Sequence, residues 1–210
     1  MYLYIFGSLC RGEFDQYSDI DLLVIKDKEE NIPFFDLDKY SIYNNDRIED
    51  LWIEGNPFAW HLYYESKLIF STDKSDLFLK LGKPNLYINL LQDLNKFHKL
   101  FVDSCRSLTT SSMSRDFDLS MIFLAIRNFA SCYSLGFLNK YNFSRDSAIT
   151  LESDKLIISH DCYAILERTR IASTRGIGNN ITLAEYNFVL SELDIILEWF
   201  QLLINKVSNK

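Results

Sequence analysis

The sequence predicts an α+β protein: an N-terminal α/β domain with a small mixed sheet, followed by a C-terminal bundle of about four helices. Two patterns indicate this. In residues 1–84, short apolar runs alternate with Gly, Asp and other polar turn residues, as in the strands of a small sheet. In residues 85–210, apolar residues recur three and four positions apart over long stretches, the period of amphipathic helices. We therefore predict two domains, 1–84 and 85–210.

The first predicted strand is Tyr2–Phe6, a short run of aromatic and β-branched residues that ends at a glycine. Gly7 lets the backbone turn tightly where a side chain would block a ligand. Ser8 is predicted as the N-cap of a helix whose free N–H groups would face a phosphate. Arg11 lies within one turn of Ser8 and adds positive charge there.

A second apolar run carries two aspartates, Asp19 and Asp21, which lie on one face if the run is a strand. Two like charges this close are unfavourable unless a cation lies between them. Mg²⁺ suits such a pair, because it takes one or two carboxylates and completes its shell with phosphate and water. The apolar residues predicted on the opposite face, toward the core, are Ile20, Leu22 and Val24. The alternative is a half-solvated strand with two surface aspartates.

The pattern Gly7-Ser8, ten residues, then Asp19-x-Asp21 resembles the signature of the DNA polymerase β-like nucleotidyltransferase superfamily. It is similar in particular to the small members of that superfamily, the kanamycin-type antibiotic nucleotidyltransferases and the nucleotidyltransferase antitoxins that modify a partner protein. The segments Gly55–Leu62 and Glu65–Phe70 resemble the end of such domains, where a helix precedes the last strand. The resemblance thus extends to about residue 72.

This resemblance implies the transfer of a nucleoside monophosphate, most often AMP, from an NTP to an acceptor hydroxyl. It implies that Gly7 and Ser8 hold the β and γ phosphates, with Arg11 beside them, and that Asp19 and Asp21 bind two Mg²⁺ ions. The resemblance also implies that the NTP is ATP, and that both aspartates are catalytic residues, because the metal ions act on the transferred group.

The resemblance also implies a third carboxylate on an adjacent strand, as a metal ligand and as a base for the attacking hydroxyl. The strand is predicted over Leu37–Tyr43, and the usual acidic position near Lys39–Ser41 holds no acid. Asp38 is therefore the predicted third ligand, with Asp36 as the alternative. The acids of the next amphipathic helix are predicted to form a solvated face: Asp46, Glu49 and Asp50.

The composition limits the classes of function. At 210 residues and 48% hydrophobic content the chain is a packed globular protein. We expect neither a membrane span nor a secretory signal, since there is no run of about 18 uncharged apolar residues and no basic region at the N-terminus. The four cysteines are scattered, which favours reduced thiols in a cytoplasmic protein over a zinc site.

Charge is unevenly distributed between the two predicted domains. Residues 1–84 contain 9 basic and 16 acidic side chains, a net charge of −7, whereas residues 85–210 contain 13 of each. Because proteins bind long nucleic acids by neutralising phosphates with Lys and Arg, we do not expect an extended nucleic acid as partner.

The domain boundary is predicted near Gly82–Asn85, where Gly and Pro interrupt the pattern and Asn85 is predicted to cap the next helix. The bundle helices are predicted over residues 86–105, 117–136, 161–172 and 183–205. The second of them is apolar over a wide arc, so we expect it at the centre of the bundle.

Three arginines follow one another near the end of the third bundle helix: Arg168, Arg170 and Arg175. Guanidinium groups match phosphate oxygens, so we assign Arg170 and Arg175 to the nucleotide. The alternative is that these side chains cap the carbonyl groups at the helix C-terminus.

Three functions remain open. The acceptor is a protein partner in a toxin–antitoxin or defence setting, or it is a small polycation such as an aminoglycoside, which the acidic residues 1–84 favour. The third alternative is a catalytically weak module that binds nucleotide or protein, because the usual position of the third carboxylate holds no acid. A homodimer, if it forms, is expected through the helical domain of residues 85–210.

Overall fold

The structure is a computed structural model that describes residues 1–13, 20–27, 40–110 and 114–209. It divides into two compact units, Met1–Ile88 and Asn89–Lys210. The predicted boundary after residue 84 lies close to this division. The first unit contains the sheet and the second is helical, so the α+β prediction is confirmed.

The sheet of the first unit has the order β3-β2-β1-β4. Its strands are β1 (Tyr2–Phe6), β2 (Asp21–Lys26), β3 (Ser41–Asn44) and β4 (Ser66–Ser71). The strand β1 pairs antiparallel with both β2 and β4, while β2 and β3 are parallel, so the sheet is mixed as predicted.

Helices cover one face of this sheet. They are α2 (Asn45–Ile53), α3 (Pro57–Glu65) and α4 (Leu77–Leu81). Their buried residues pack against Tyr2, Tyr4 and Phe6 of β1. Two tyrosine hydroxyls of β1 form hydrogen bonds with the segment before α4. The Tyr4 hydroxyl donates to the Asp76 carboxylate at 2.7 Å, and the Tyr2 hydroxyl donates to the Asp73 carboxylate at 3.0 Å.

The predicted orientation of β2 was wrong. Leu23 and Ile25 pack in the main core, and by strand alternation they share a face with Asp21 rather than opposing it. Of the three residues predicted on the core face, Ile20 precedes the strand and is 60% exposed, and Leu22 is half-buried. Val24 is fully buried, but it lies outside this core and, by strand alternation, on the other face of β2. The error has a physical cause: residues 22–25 are all apolar, so hydrophobicity does not alternate along β2 and does not identify its core face.

The predicted helix and last strand at the end of this unit are confirmed as α3 and β4. Asn56 accepts a hydrogen bond from Phe58 N at 2.9 Å and Pro57 opens the helix, a favourable start for α3. The acids predicted as a solvated face of α2 are exposed: Asp46, Glu49 and Asp50.

Asn85 does not cap the first bundle helix, contrary to the prediction. Its N–H donates to Trp52 O at 2.9 Å, and its side chain donates to Ile53 O at 2.9 Å. Its carbonyl accepts from Trp60 Nε1 at 3.1 Å. Because these bonds hold Asn85 in the first unit, the helix begins later, at Leu90.

The second unit is built from four long helices, α5 (Leu90–Thr110), α6 (Arg115–Gly136), α7 (His160–Arg175) and α8 (Leu183–Ser208). The bundle closes because α5 packs on α6 and α8, and α7 packs on α6 and α8. The central position predicted for α6 is confirmed: it is the most buried helix here, and Phe129 also meets Phe200 of α8 at 4.5 Å between ring centroids. Among the residues with a described structure, α6 alone is long and apolar enough to cross a membrane, but 67% of that stretch is buried, as is typical of a core helix.

A polar network ties the segment between α6 and α7 to the bundle. The Asp154 carboxylate accepts a hydrogen bond from the Tyr133 hydroxyl of α6 at 2.7 Å, and it forms an ion pair with Lys206 of α8. Its carbonyl accepts from Trp199 Nε1 at 2.8 Å. Burial acts to raise the pKa of Asp154, but the hydrogen bonds from Lys206 and Tyr133 outweigh it and hold the pKa below its ordinary value.

Candidate active site

The candidate site lies where β1 ends and β2 begins. Phe6, the last residue of β1, is paired with Asp21, the first residue of β2. The next residue, Gly7, therefore lies beside the Asp21 carboxylate. A Cβ built on Gly7 would be 2.8 Å from Asp21 Oδ2, closer than real Cβ contacts allow, so the absence of a side chain is required here.

The backbone of Gly7 has a conformation that favours glycine, with φ 77° and ψ −141°. Its N–H donates to Glu65 O at 3.0 Å, which extends the pairing of β1 with β4 by one residue. The N–H of Gly7 is therefore already bonded inside the protein. A phosphate at this turn would be held by Ser8 and the residues that follow it.

The predicted helix after the glycine is the short helix α1 (Ser8–Arg11). Ser8 is not its N-cap, contrary to the prediction: Gly7 has that position, and Ser8 is the first helical residue. The helix ends at Gly12, which has a left-handed conformation with φ 73°.

Arg11 lies on α1 with its guanidinium between two carboxylates. Its Nε is 2.7 Å from Glu13 Oε2, and its Nη1 forms an ion pair with Glu65 Oε2. Burial acts to lower the pKa of the Arg11 guanidinium, but Glu13 and Glu65 outweigh it and raise the pKa above its ordinary value. Arg11 is therefore a permanently charged residue at the base of the turn, and its predicted contact with nucleotide stays a prediction.

Sequence reasoning missed the polar cluster around Glu65, which is only 6% exposed. Glu65 Oε2 also lies 2.9 Å from His61 Nε2, an ion-pair distance one turn back along α3. The only signal in the sequence was that Glu65 falls in the segment resembling the end of nucleotidyltransferase domains. That signal did not indicate a carboxylate beneath the Gly7–Ser8 turn.

The predicted metal ligands are only partly within the described ranges. Asp21 is at the candidate site, whereas Asp19, Asp38 and its alternative Asp36 lie outside the described residues. In the part of the chain with a described structure, no three His, Cys, Asp or Glu side chains form a metal-binding group. The donor that is present fits the implied metal, because Asp21 offers a hard carboxylate oxygen beside a glycine backbone that leaves room for a ligand.

The arginines assigned to the nucleotide lie on α7 in the second unit. Arg170 donates from Nη1 to Ser120 at 3.4 Å, and burial lowers its pKa. Arg175 is the last residue of α7, next to a left-handed Gly176. Arg168 Nη2 is 2.9 Å from Glu185 Oε1 in the first turn of α8, so this arginine joins two helices. The assignment of Arg170 and Arg175 to a nucleotide stays a prediction.

Comparison with protein families agrees with this geometry. Residues 2–83 match the family model of the nucleotidyltransferase domain, and the match contains β1, α1, β2, β3, α2, α3, β4 and α4. Members of this family transfer nucleoside monophosphates and generally use an NTP and a divalent metal ion. A comparison with curated proteins finds no significant match. Residues 2–83 are therefore a nucleotidyltransferase domain of the polymerase β-like superfamily.

Proposed function

We propose that this protein transfers AMP from ATP to a hydroxyl group of a protein partner, in the cytoplasm and in a toxin–antitoxin or defence setting. The observation that supports a transferase most directly is the position of the Asp21 carboxylate beside Gly7, where a Cβ would not fit, inside a segment that matches the nucleotidyltransferase family. The four free cysteines agree with a reducing compartment.

In the proposed reaction the acceptor oxygen attacks the α-phosphorus of ATP. The bond from that phosphorus to the bridging oxygen of the β-phosphate breaks, pyrophosphate leaves, and the hydroxyl proton passes to a base or to water. The Gly7–Ser8 turn holds the triphosphate, and Asp21 acts with Asp19 and Asp38 as metal ligands. Two Mg²⁺ ions, when bound, neutralise charge on the transferred group and lower the pKa of the acceptor hydroxyl.

Exposed apolar residues in the first unit support a protein acceptor. The strand β4 is at the edge of the sheet, and it exposes Ile69 and Phe70. Exposed edge strands with apolar side chains are surfaces on which another chain can pair or pack.

A second candidate acceptor is a small polycation of the aminoglycoside type. The observation that favours it is the net charge of −7 on residues 1–84, from 9 basic and 16 acidic side chains. An acidic surface attracts polycations and repels nucleic acids. The charge therefore favours an aminoglycoside-type acceptor and is also compatible with a protein acceptor.

The test uses purified protein, Mg²⁺ and each α-labelled NTP in a lysate of its own cells. The label is followed into the protein, RNA and small-molecule fractions. We expect label from ATP in protein, and Asp21→Asn to lower the rate at least about a hundredfold because a metal ligand is lost. Label in the small-molecule fraction alone would favour the second acceptor.

The matched control is Asp50→Asn on the exposed face of α2. It removes the same charge from the same unit and should leave the rate within about twofold of the wild type, because exposed substitutions away from a site have little effect. Equal rates for the wild type and a folded Asp21→Asn would contradict the proposed chemistry.

A further inference from the structure

The helix α1 is too short to fix its own direction. It has four residues, and helices of this length are not stable in water without tertiary contacts. No side-chain hydrogen bond caps its N-terminus, since Gly7 is at the N-cap. The direction of the Gly7–Ser8 turn must therefore be set by residues outside α1, and the helix contacts β1 and α3.

Glu65, the last residue of α3, holds both ends of this segment. Its carbonyl accepts the Gly7 N–H at 3.0 Å, and its carboxylate is ion-paired with Arg11 at the end of α1. Glu65 is itself fixed, because the next residue, Ser66, pairs with Phe6 in the sheet. A single buried residue thus connects the sheet to the beginning and to the end of the phosphate-binding segment.

The charge pair is strong enough to matter because it is shielded from water. The Glu65 side chain is 6% exposed and the Arg11 side chain 17%. Interactions between charges are stronger where water is excluded, and the planar guanidinium fixes the geometry of the pair. A buried carboxylate without its partner is costly, so the Arg11 guanidinium is retained by Glu65.

We infer that Glu65 is a positioning residue of this site, which holds the Gly7–Ser8 turn through Arg11 and through the Gly7 N–H in the conformation that receives the NTP phosphates. The inference rests on the proposed function, and it changes the role of Arg11. Arg11 acts toward Glu65 and fixes α1, rather than acting directly on a phosphate.

The two roles of Arg11 predict different effects of Glu65→Met, which releases Arg11 from its buried partner and leaves it paired with Glu13 alone. If Arg11 bound phosphate directly, its release would leave the affinity for Mg-ATP unchanged or increase it. If Glu65 positions the turn, the variant should weaken binding of Mg-ATP about tenfold, because preorganisation is lost. The value of kcat at saturating ATP should stay within about threefold, because the reacting groups are unchanged.

The measurements are the Kd for Mg-ATP by calorimetry and the separate values of KM and kcat. Glu65→Gln should give an intermediate Kd, since its amide oxygen still accepts a hydrogen bond from Arg11. The matched control is Glu13→Gln, which removes the other and more exposed partner of Arg11 and should leave the Kd within about twofold. A folded Glu65→Met with the wild-type Kd or a lower one overturns the inference.

If Glu65→Met does not fold, amide hydrogen exchange of residues 7–11 is measured in Glu65→Gln as a second test. In Glu65→Gln we expect faster exchange of these amides together with a higher Kd, and unchanged exchange with an unchanged Kd overturns the inference. A wild-type protein that binds no Mg-NTP overturns the proposed function itself. Wild-type binding that Glu65 variants leave intact overturns only the role of Glu65.

Discussion

Gly7 and Gly12 flank α1 and both have a positive φ, of 77° and 73°, yet their surroundings differ. At Gly7 a Cβ would meet the Asp21 carboxylate, whereas at Gly12 it would meet nothing within 4 Å. Both positions carry backbone strain for a residue with a Cβ, but only Gly7 adds the close approach to Asp21. Gly12, with ψ 16°, is in the left-handed helical region, which costs such a residue about 1–2 kcal/mol. Gly7, with ψ −141°, is in a region almost confined to glycine, where the cost is about 1–3 kcal/mol.

We predict that Gly7→Ala lowers the rate of AMP transfer at least about a hundredfold, because the new methyl group displaces the Asp21 carboxylate and small displacements at a reacting centre have large effects. Gly12→Ala should keep the rate within about threefold while losing about 1–2 kcal/mol of unfolding free energy. Transfer rates and urea denaturation of both variants check this. An equal loss of rate in both would contradict the close approach to Asp21 as the cause.

Some residues of the candidate site could be predicted from the sequence, whereas the partner of Arg11 could not. The pattern Gly7-Ser8 and Asp21 was recognisable because the family spacing is local and dictated by chemistry. The partner of Arg11 was not, because Glu65 is 54 positions away and only the pairing of β1 with β4 brings it close. An arginine near a glycine turn is equally compatible with a phosphate and with a distant carboxylate.

Among the secondary-structure elements, those with a repeated pattern were predicted well. The helices α6, α7 and α8 start within a few residues of their predicted starts, because three- and four-residue spacing over many turns averages out local exceptions. The five-residue helix α4 was not predicted. Its start depends on Asp76, whose carboxylate accepts from Phe78 N at 3.0 Å and from Tyr4, a contact that sequence spacing does not reveal.

The segment between α6 and α7 should depend strongly on Asp154. We predict that Asp154→Ala lowers the free energy of unfolding by about 2–3 kcal/mol, because it leaves the buried Tyr133 hydroxyl without its acceptor and removes the partner of Lys206. Urea denaturation at pH 7 gives this value. The matched control is Asp103→Ala, since Asp103 is also paired with a lysine but its side chain is 44% exposed, against 7% for Asp154.

The control should lose no more than about 0.5 kcal/mol, the range of exposed ion pairs. The pKa of Asp154 is lowered in the folded state, so its stabilising contribution is complete above the ordinary value of 3.8 and is lost as the pH falls through the folded pKa. The difference between wild type and Asp154→Ala should therefore shrink below pH 4. A difference that stays constant down to pH 2 would contradict this role for the carboxylate.

The chain as a whole joins two units, each of which has its own buried residues. In the second unit the large buried side chains of α5, α6 and α8 meet one another, such as Phe101, Phe129 and Phe200. A unit with its own core is expected to fold alone. The fold class was predictable because the two halves of the sequence have different hydrophobic periods.

We predict that residues 89–210, expressed alone, give a helical circular dichroism spectrum and a cooperative thermal transition, because they form a compact unit with buried side chains of their own. The Asp154→Ala version of this fragment is the control and should unfold at a lower temperature. A fragment with helical signal but no cooperative transition would show that the core of the helices is completed by the first unit.

The position of β1 in the sheet has a consequence for how the first unit forms during synthesis. Both neighbours of β1 come later in the chain, and Phe6 pairs with Ser66, a separation of 60 residues. Because synthesis adds about 5–20 residues per second, β1 remains without its β4 partner for roughly 3–12 s during translation. Such non-local pairing makes folding slow. The Gly7–Ser8 turn is therefore assembled late, when Glu65 arrives to accept the Gly7 N–H.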